Sequence, residues 1–143
     1  MTQPNHEQRR SMIAAAAYLR AERRGFADGD PVTDWLEAEA EVDARLAQDD
    51  LIAQHERRLS TAADGLTALK AGLSVLKTGA REKLALDLEK LAKLHEAFRR
   101  KVEVLREEGG QAGEKAKNQA DKAWNQLSRA LRRISSRKPE RTQ

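Results

Sequence analysis

Apolar positions recur at helical spacing along most of the chain, and the interruptions between them mark its elements. Between residues 8 and 24, Met12, Ile13, Ala16, Ala17 and Leu19 gather near one side of a first helix. Arg23 and Arg24 suit its negative C-terminal end, and Gly25 stops it at the position where a left-handed backbone is usual. After Phe26–Asp30, Asp30 offers an N-cap acceptor and Pro31 fits the first helical position, where its missing N–H costs nothing. A second helix is predicted from Pro31 to at least Leu46, presenting Val32, Trp35, Leu36, Val42 and Leu46. Two helices joined by so short a loop form an αα-hairpin.

Gln48-Asp49-Asp50 interrupts the stripe, and a second register begins beyond it. Leu59, Ala62, Leu66, Leu69, Leu73 and Leu76 alternate steps of three and four, the spacing of a coiled coil. Ala80, Leu84 and Leu88 follow at steps of four, after which Leu91, His95, Phe98, Val102 and Leu105 resume the alternation. One residue too many has entered the frame near Lys77-Thr78-Gly79, which favours a chain reversal there over one continuous helix with a locally unwound turn. Glu107–Gly113 holds three glycines and is the clearest break; Ala116, Ala120, Trp124, Leu127, Leu131 and Ile134 then define a last amphipathic helix. The expected architecture is all-α: an N-terminal αα-hairpin over 8–47, then an antiparallel coiled-coil or helical bundle over 51–135. Its helices are expected near 51–77, 81–107 and 113–135, with a disordered basic tail at 136–143. Gly65, Gly72 and Gly79 recur every seven residues, which reads either as close approach of a partner helix or as a weakly helical stretch with an accidental period.

Composition supports helices. Of 143 residues, 82 are Ala, Leu, Arg, Glu or Lys, and only five are aromatic, so a large sheet or a thick aromatic core is excluded. There is no cysteine, hence no disulfide and no thiolate chemistry. Met12–Leu19 is too short and too weakly apolar for a signal segment, and no run suits a membrane span, so a cytoplasmic location is expected. The formal charge of +4 conceals opposing blocks: −8 over residues 28–50 and +6 over 114–143. Such blocks attract one another within a molecule, between subunits, or toward separate partners.

Ala17-Tyr18-Leu19, Glu22-Arg23-Arg24-Gly25, Gly29-Asp30 and Asp34-Trp35-Leu36-Glu37-Ala38-Glu39 together resemble the short bacterial family catalogued as domain of unknown function 2934, over about residues 9–47. Pro31 departs from that pattern. The resemblance implies a small helical module and no activity. A second similarity, compositional in kind, relates Ala116–Leu127 to small bacterial coiled-coil proteins linked to stress responses.

No catalytic motif emerges. His6, His55 and His95 lack the second histidine or carboxylate that a zinc site requires, and His95 falls on the apolar seam. Glu37, Glu39, Glu41 and Asp43 spread over two helix faces instead of converging. Neither a cofactor nor enzymatic activity is expected. Tyr18 and Trp35 read as pins between the two hairpin helices. With Leu36, Trp124, Leu127 and Leu131 they form the candidate packing and interaction set. Lys122, Arg129, Arg132, Arg133, Arg137 and Lys138 accompany the last apolar stripe and suit a solvated bundle face, a phosphate-binding helix, or a helix on anionic lipid. The first of these fits best; membrane contact is disfavoured by the alanine-rich stripe. The expectation is a non-enzymatic interaction or scaffold protein, self-associating as a dimer by default or binding partner helices, with a stress-related role implied by similarity alone. Nucleic-acid or anionic-surface binding through the C-terminal helix and tail is the alternative.

Overall fold

Residues 3–27, 29–108 and 113–136 are described by a computed structural model of the chain, and they fold as four α-helices. Helix α1, His6–Arg23, opens on a capping box in which the Asn5 side chain accepts from the Gln8 N–H at 2.8 Å and Gln8 Oε1 accepts from the Asn5 N–H at 2.9 Å. It closes as the glycine predicts: Gly25 has φ of 67°, and the Gly25 and Phe26 N–H groups donate back to Glu22 and Ala21 carbonyls at 2.8 and 2.9 Å. Asp30 caps the next helix, accepting from the Val32 N–H at 3.1 Å and from the Thr33 hydroxyl at 3.3 Å.

Helix α2 runs unbroken from Pro31 to Ala71. The expected interruption at Gln48-Asp49-Asp50 does not occur, and no new helix begins at 51. A polar triplet without glycine or proline removes no backbone hydrogen bond, and here Gln48 is itself buried while Asp49 and Asp50 face solvent. The reversal comes slightly before Lys77-Thr78-Gly79. A 3-10 turn at Gly72–Val75 leads to buried, extended Leu76, and helix α3 spans Thr78–Glu108. Arg81 holds the corner, donating from Nε to the Leu73 carbonyl at 3.2 Å and from Nη2 to that of Leu76 at 2.9 Å. Helix α4 is Glu114–Ser136. The basic tail expected at 136–143 lies outside the described residues, except for Ser136.

The chain divides into two units, Met1–Ala53 and Gln54–Gln143, with the boundary inside α2. In the first, α1 and the opening of α2 form the hairpin around Ile13, Ala38 and Val42, flanked by Met12, Ala16, Ala17, Trp35 and Leu46. In the second, the end of α2 packs with α3 and α4. Pairing of His55 with Phe98 and of Leu59 with His95 sets α2 against α3 antiparallel, and pairing of Phe98 with Trp124 and of Lys101 with Gln119 does the same for α3 and α4. An up-down-up three-helix bundle results, its core built on Ala62, Leu91, Phe98, Val102, Leu127, Ala130 and Ile134.

Of the three regularly spaced glycines, only Gly65 faces a neighbour. A Cβ there would lie 3.6 Å from Leu131 Cδ2, whereas Gly72 and Gly79 open onto empty space. Their period therefore marks no shared packing flank.

Candidate functional site

Two surfaces stand apart from the structural cores. The first lies on the hairpin. Its helices are clasped by charge: Arg9 donates to both carboxylate oxygens of Asp43 at 2.8 Å and approaches Glu39 at 3.5 Å. Arg20 reaches Glu37 at 2.8 Å and Glu41 at 3.0 Å. Arg24 grips buried Asp34 through both guanidinium nitrogens, at 2.5 and 2.7 Å. These bonds hold the Asp34 and Asp43 carboxyls below the usual range, because each accepts hydrogen bonds from a guanidinium. Gly29 belongs to the same arrangement, since a Cβ there would sit 2.4 Å from Arg24 Nη2 and displace the guanidinium from Asp34.

Beside the Arg24–Asp34 pair runs an open groove of about 650 Å³, lined by Ala14, Ala17, Ala21, Phe26, Pro31 and Trp35. The ring of Phe26 stands 5.5 Å from that of Tyr18, and both are mostly in solvent, at 63% and 59% exposure. Phe26 holds this place with φ of 59°, a left-handed conformation that a bulky residue rarely adopts. Val32 and Leu36, one helical turn apart on α2, are likewise exposed.

The second surface is the outward side of α4. Ala120, Leu127, Ala130 and Ile134 are buried and Leu131 packs against them, so the apolar side of this helix is consumed by the bundle. Trp124 lies against Phe98 at 5.5 Å and under the Arg58 guanidinium at 5.3 Å. Lys115, Lys122, Arg129, Arg132 and Arg133 project the other way, all exposed. His55 is fully buried, its ring edge-on to that of Phe98 at 5.5 Å. Its Nε2 has no hydrogen-bond partner and lies 3.8 Å from Asp121, while Arg58 Nη1 is 3.3 Å from its Nδ1. Burial, reinforced by Arg58, pushes the His55 imidazole below its ordinary value against the opposing pull of Asp121.

The sequence-based candidates thus separate. Trp35 is half-buried against the hairpin core, whereas Tyr18 is mostly exposed and its ring lies beside that of Phe26. Leu36, Leu19 and Val32, expected on the apolar stripe, are exposed. Leu127 is buried as a packing residue, with Trp124 and Leu131 half-buried around it. Lys122, Arg129, Arg132 and Arg133 share the exposed side of α4, and Arg137 and Lys138 lie outside the described residues. The arginine clasp was missed, although the opposition of α1's arginines to the acidic 28–50 block was its signal. His55 was missed as a core residue, although it extends the seam one step back from Leu59. His95 is half-buried on that seam, its Nε2 3.3 Å from the Leu59 carbonyl oxygen. Among the described residues, no three His, Asp or Glu side chains gather where a metal ion could be held. None of the described helices is long and apolar enough to cross a membrane.

A two-helix module clasped by arginines and a three-helix bundle with a basic outer side define the class: an all-α protein of helical modules. Residues 8–44, the hairpin, match the family described as Protein of unknown function (DUF2934). The resemblance covers that module and leaves the bundle unassigned. No curated protein and no solved structure matches the chain.

Proposed function

We propose that the chain is a non-enzymatic, self-associating interaction protein whose hairpin supplies the contact between copies. The observation that carries this reading is the exposed Tyr18–Phe26 pair beside the Ala14–Trp35 groove, with Phe26 held in a strained backbone that solvent alone does not reward. The exposed parts of Tyr18, Phe26, Val32 and Leu36 supply apolar surface on the hairpin toward the roughly 800 Å² per partner that a standard interface uses. A second copy suits this flank because the contact is apolar and the carboxylates beside it are already engaged by Arg9, Arg20 and Arg24. Salt should leave the association intact, since residues 1–53 hold six basic and eleven acidic side chains and like copies repel until screened. A cytoplasmic scaffold in a stress-related process is the setting we propose, the process resting on the compositional similarity of residues 116–127 alone.

Light scattering coupled to size exclusion tests the reading. The chain should elute at twice its 16.0 kDa mass. Tyr18→Glu combined with Phe26→Ser should return it to the monomer with helicity unchanged. A monomer at every concentration, or a dimer indifferent to these substitutions, would overturn it.

A further inference from the structure

We propose that the outward ridge of α4 binds the phosphate backbone of double-stranded nucleic acid without reading its sequence. Lys115, Lys122 and Arg129 are spaced seven residues apart, which places them in one line at intervals of about 10.5 Å on a helix rising 1.5 Å per residue. Arg132 and Arg133 extend and widen that line toward the helix C-terminus. All five are exposed, and none forms an ion pair among the described residues. The interleaved Asn118 and Asn125 add neutral donors. Both carboxylates of α4 are engaged away from the ridge: Glu114 lies 3.6 Å from Lys117, and Asp121 faces Arg58 at 3.5 Å. The ridge thus carries five cations, while each carboxylate of α4 lies beside a cation that is not part of it.

The form of this charge selects the partner. The neighbouring α3 mixes signs on its outer side, as in Glu82-Lys83, Glu89-Lys90 and Glu96 with Arg99 and Arg100, so the positive charge of α4 does not continue across it. A planar anionic membrane rewards spread charge and apolar insertion, yet the apolar side of α4 is buried in the core. A duplex presents phosphates in lines along its two strands, and a line of cations engages them where it crosses or follows a strand. Single strands are bound through exposed aromatic platforms, and the ridge carries none, Trp124 lying on the inner side. Contacts confined to phosphate carry no sequence information.

Fluorescence polarisation of the full chain with a labelled 20-base-pair DNA duplex, between 50 and 200 mM NaCl, tests this. The logarithm of the binding constant should fall with log salt at a slope of about −4 or steeper, as expected when five phosphates are neutralised. Lys122→Ala with Arg129→Ala should flatten the slope by about 1.8, and Lys122→Glu with Arg129→Glu should abolish binding at 100 mM NaCl. Duplexes of unrelated sequence should bind alike, and a chain ending at Ser136 should still bind. Circular dichroism of the variants should be unchanged, the substituted side chains being exposed.

Absence of duplex binding at 50 mM NaCl would overturn the proposal, as would ridge variants that bind like the parent chain. So would loss of binding on removal of 137–143 with the ridge substitutions silent. Capture by phosphatidylserine vesicles that duplex fails to compete would assign the ridge to membranes. Salt-sensitive self-association that the ridge variants dissolve, without duplex binding, would assign it to a second copy. The hairpin variants leave this test unaffected, so the two proposals stand or fall separately.

Discussion

In the hairpin, Arg9 and Arg20 of α1 and Arg24 just beyond its end reach across to five carboxylates of α2, whereas in the bundle α4 turns its apolar side inward and its outward Lys115, Lys122, Arg129, Arg132 and Arg133 form no ion pair among the described residues. The difference follows from how much each unit can bury. Among the described residues the buried apolar core of the hairpin is Ile13, Ala38 and Val42, so polar clasping fixes its register. Three longer helices enclose Phe98 and a ring of leucines, and that core leaves the surface charge of α4 free for another use.

Removing the centre of the bundle core separates the units most strongly. Phe98 is fully buried and touches both His55 and Trp124. Phe98→Ala should cost about 3–5 kcal/mol in urea unfolding monitored by circular dichroism. The hairpin's own ion pairs should survive, with Arg9 and Arg24 still engaged. Loss of less than about 1 kcal/mol would show that the bundle does not depend on this core.

Acid should reach the two units in a different order. His55 titrates below its ordinary 6.5, so the unfolded chain binds more protons and the bundle's stability, complete above pH 6.5, falls as pH drops through that value toward the folded one. Arg58 on its own helix, Asp121 on α4 and apolar Phe98 on α3 face this imidazole. The hairpin responds later. Asp34 and Asp43 titrate below their ordinary 3.8, so its clasp is complete above that pH and is lost only as pH falls further. Thermal melts from pH 7 to 5 should show declining bundle stability, and His55→Phe should flatten the decline. An unchanged decline in that variant would assign it to other groups.

The smallest effect concerns salt. Exposed ion pairs are screened in both units, so 1 M NaCl should lower the melting temperature of the hairpin, whose apolar core is small, more than that of the bundle. Arg9→Gln should reproduce part of the hairpin's loss at low salt and lessen its salt dependence, the Arg20 and Arg24 pairs remaining. Amide hydrogen exchange of α1 and α3 reads the two separately.

How far the pattern reached is clear from individual residues. Asn5, Gly25, Asp30-Pro31 and the frame slip near Lys77 each act within a few residues of themselves, and the helix ends they announce lie within a few residues of those observed. Gln48-Asp49-Asp50 misled because polar residues on a stripe resemble a boundary, yet an α-helix ends only when its backbone bonding is interrupted. Tyr18 and Leu36 misled because periodicity shows which residues share a side of one helix, and not how much of that side a partner covers. The α4 ridge was legible as charge, but the reading that its apolar stripe packs inward needed the other two helices.

What the sequence determined by itself is the all-α class, the hairpin with its caps and the basic character of the C-terminal helix, since propensity, capping and charge are local properties. Only the tertiary structure decided the pairing of Arg9, Arg20 and Arg24 with their carboxylates, the burial of His55 against Phe98, and the exposure of Tyr18 and Phe26. Each depends on distances between residues far apart in the chain, and those distances exist only once the helices have packed.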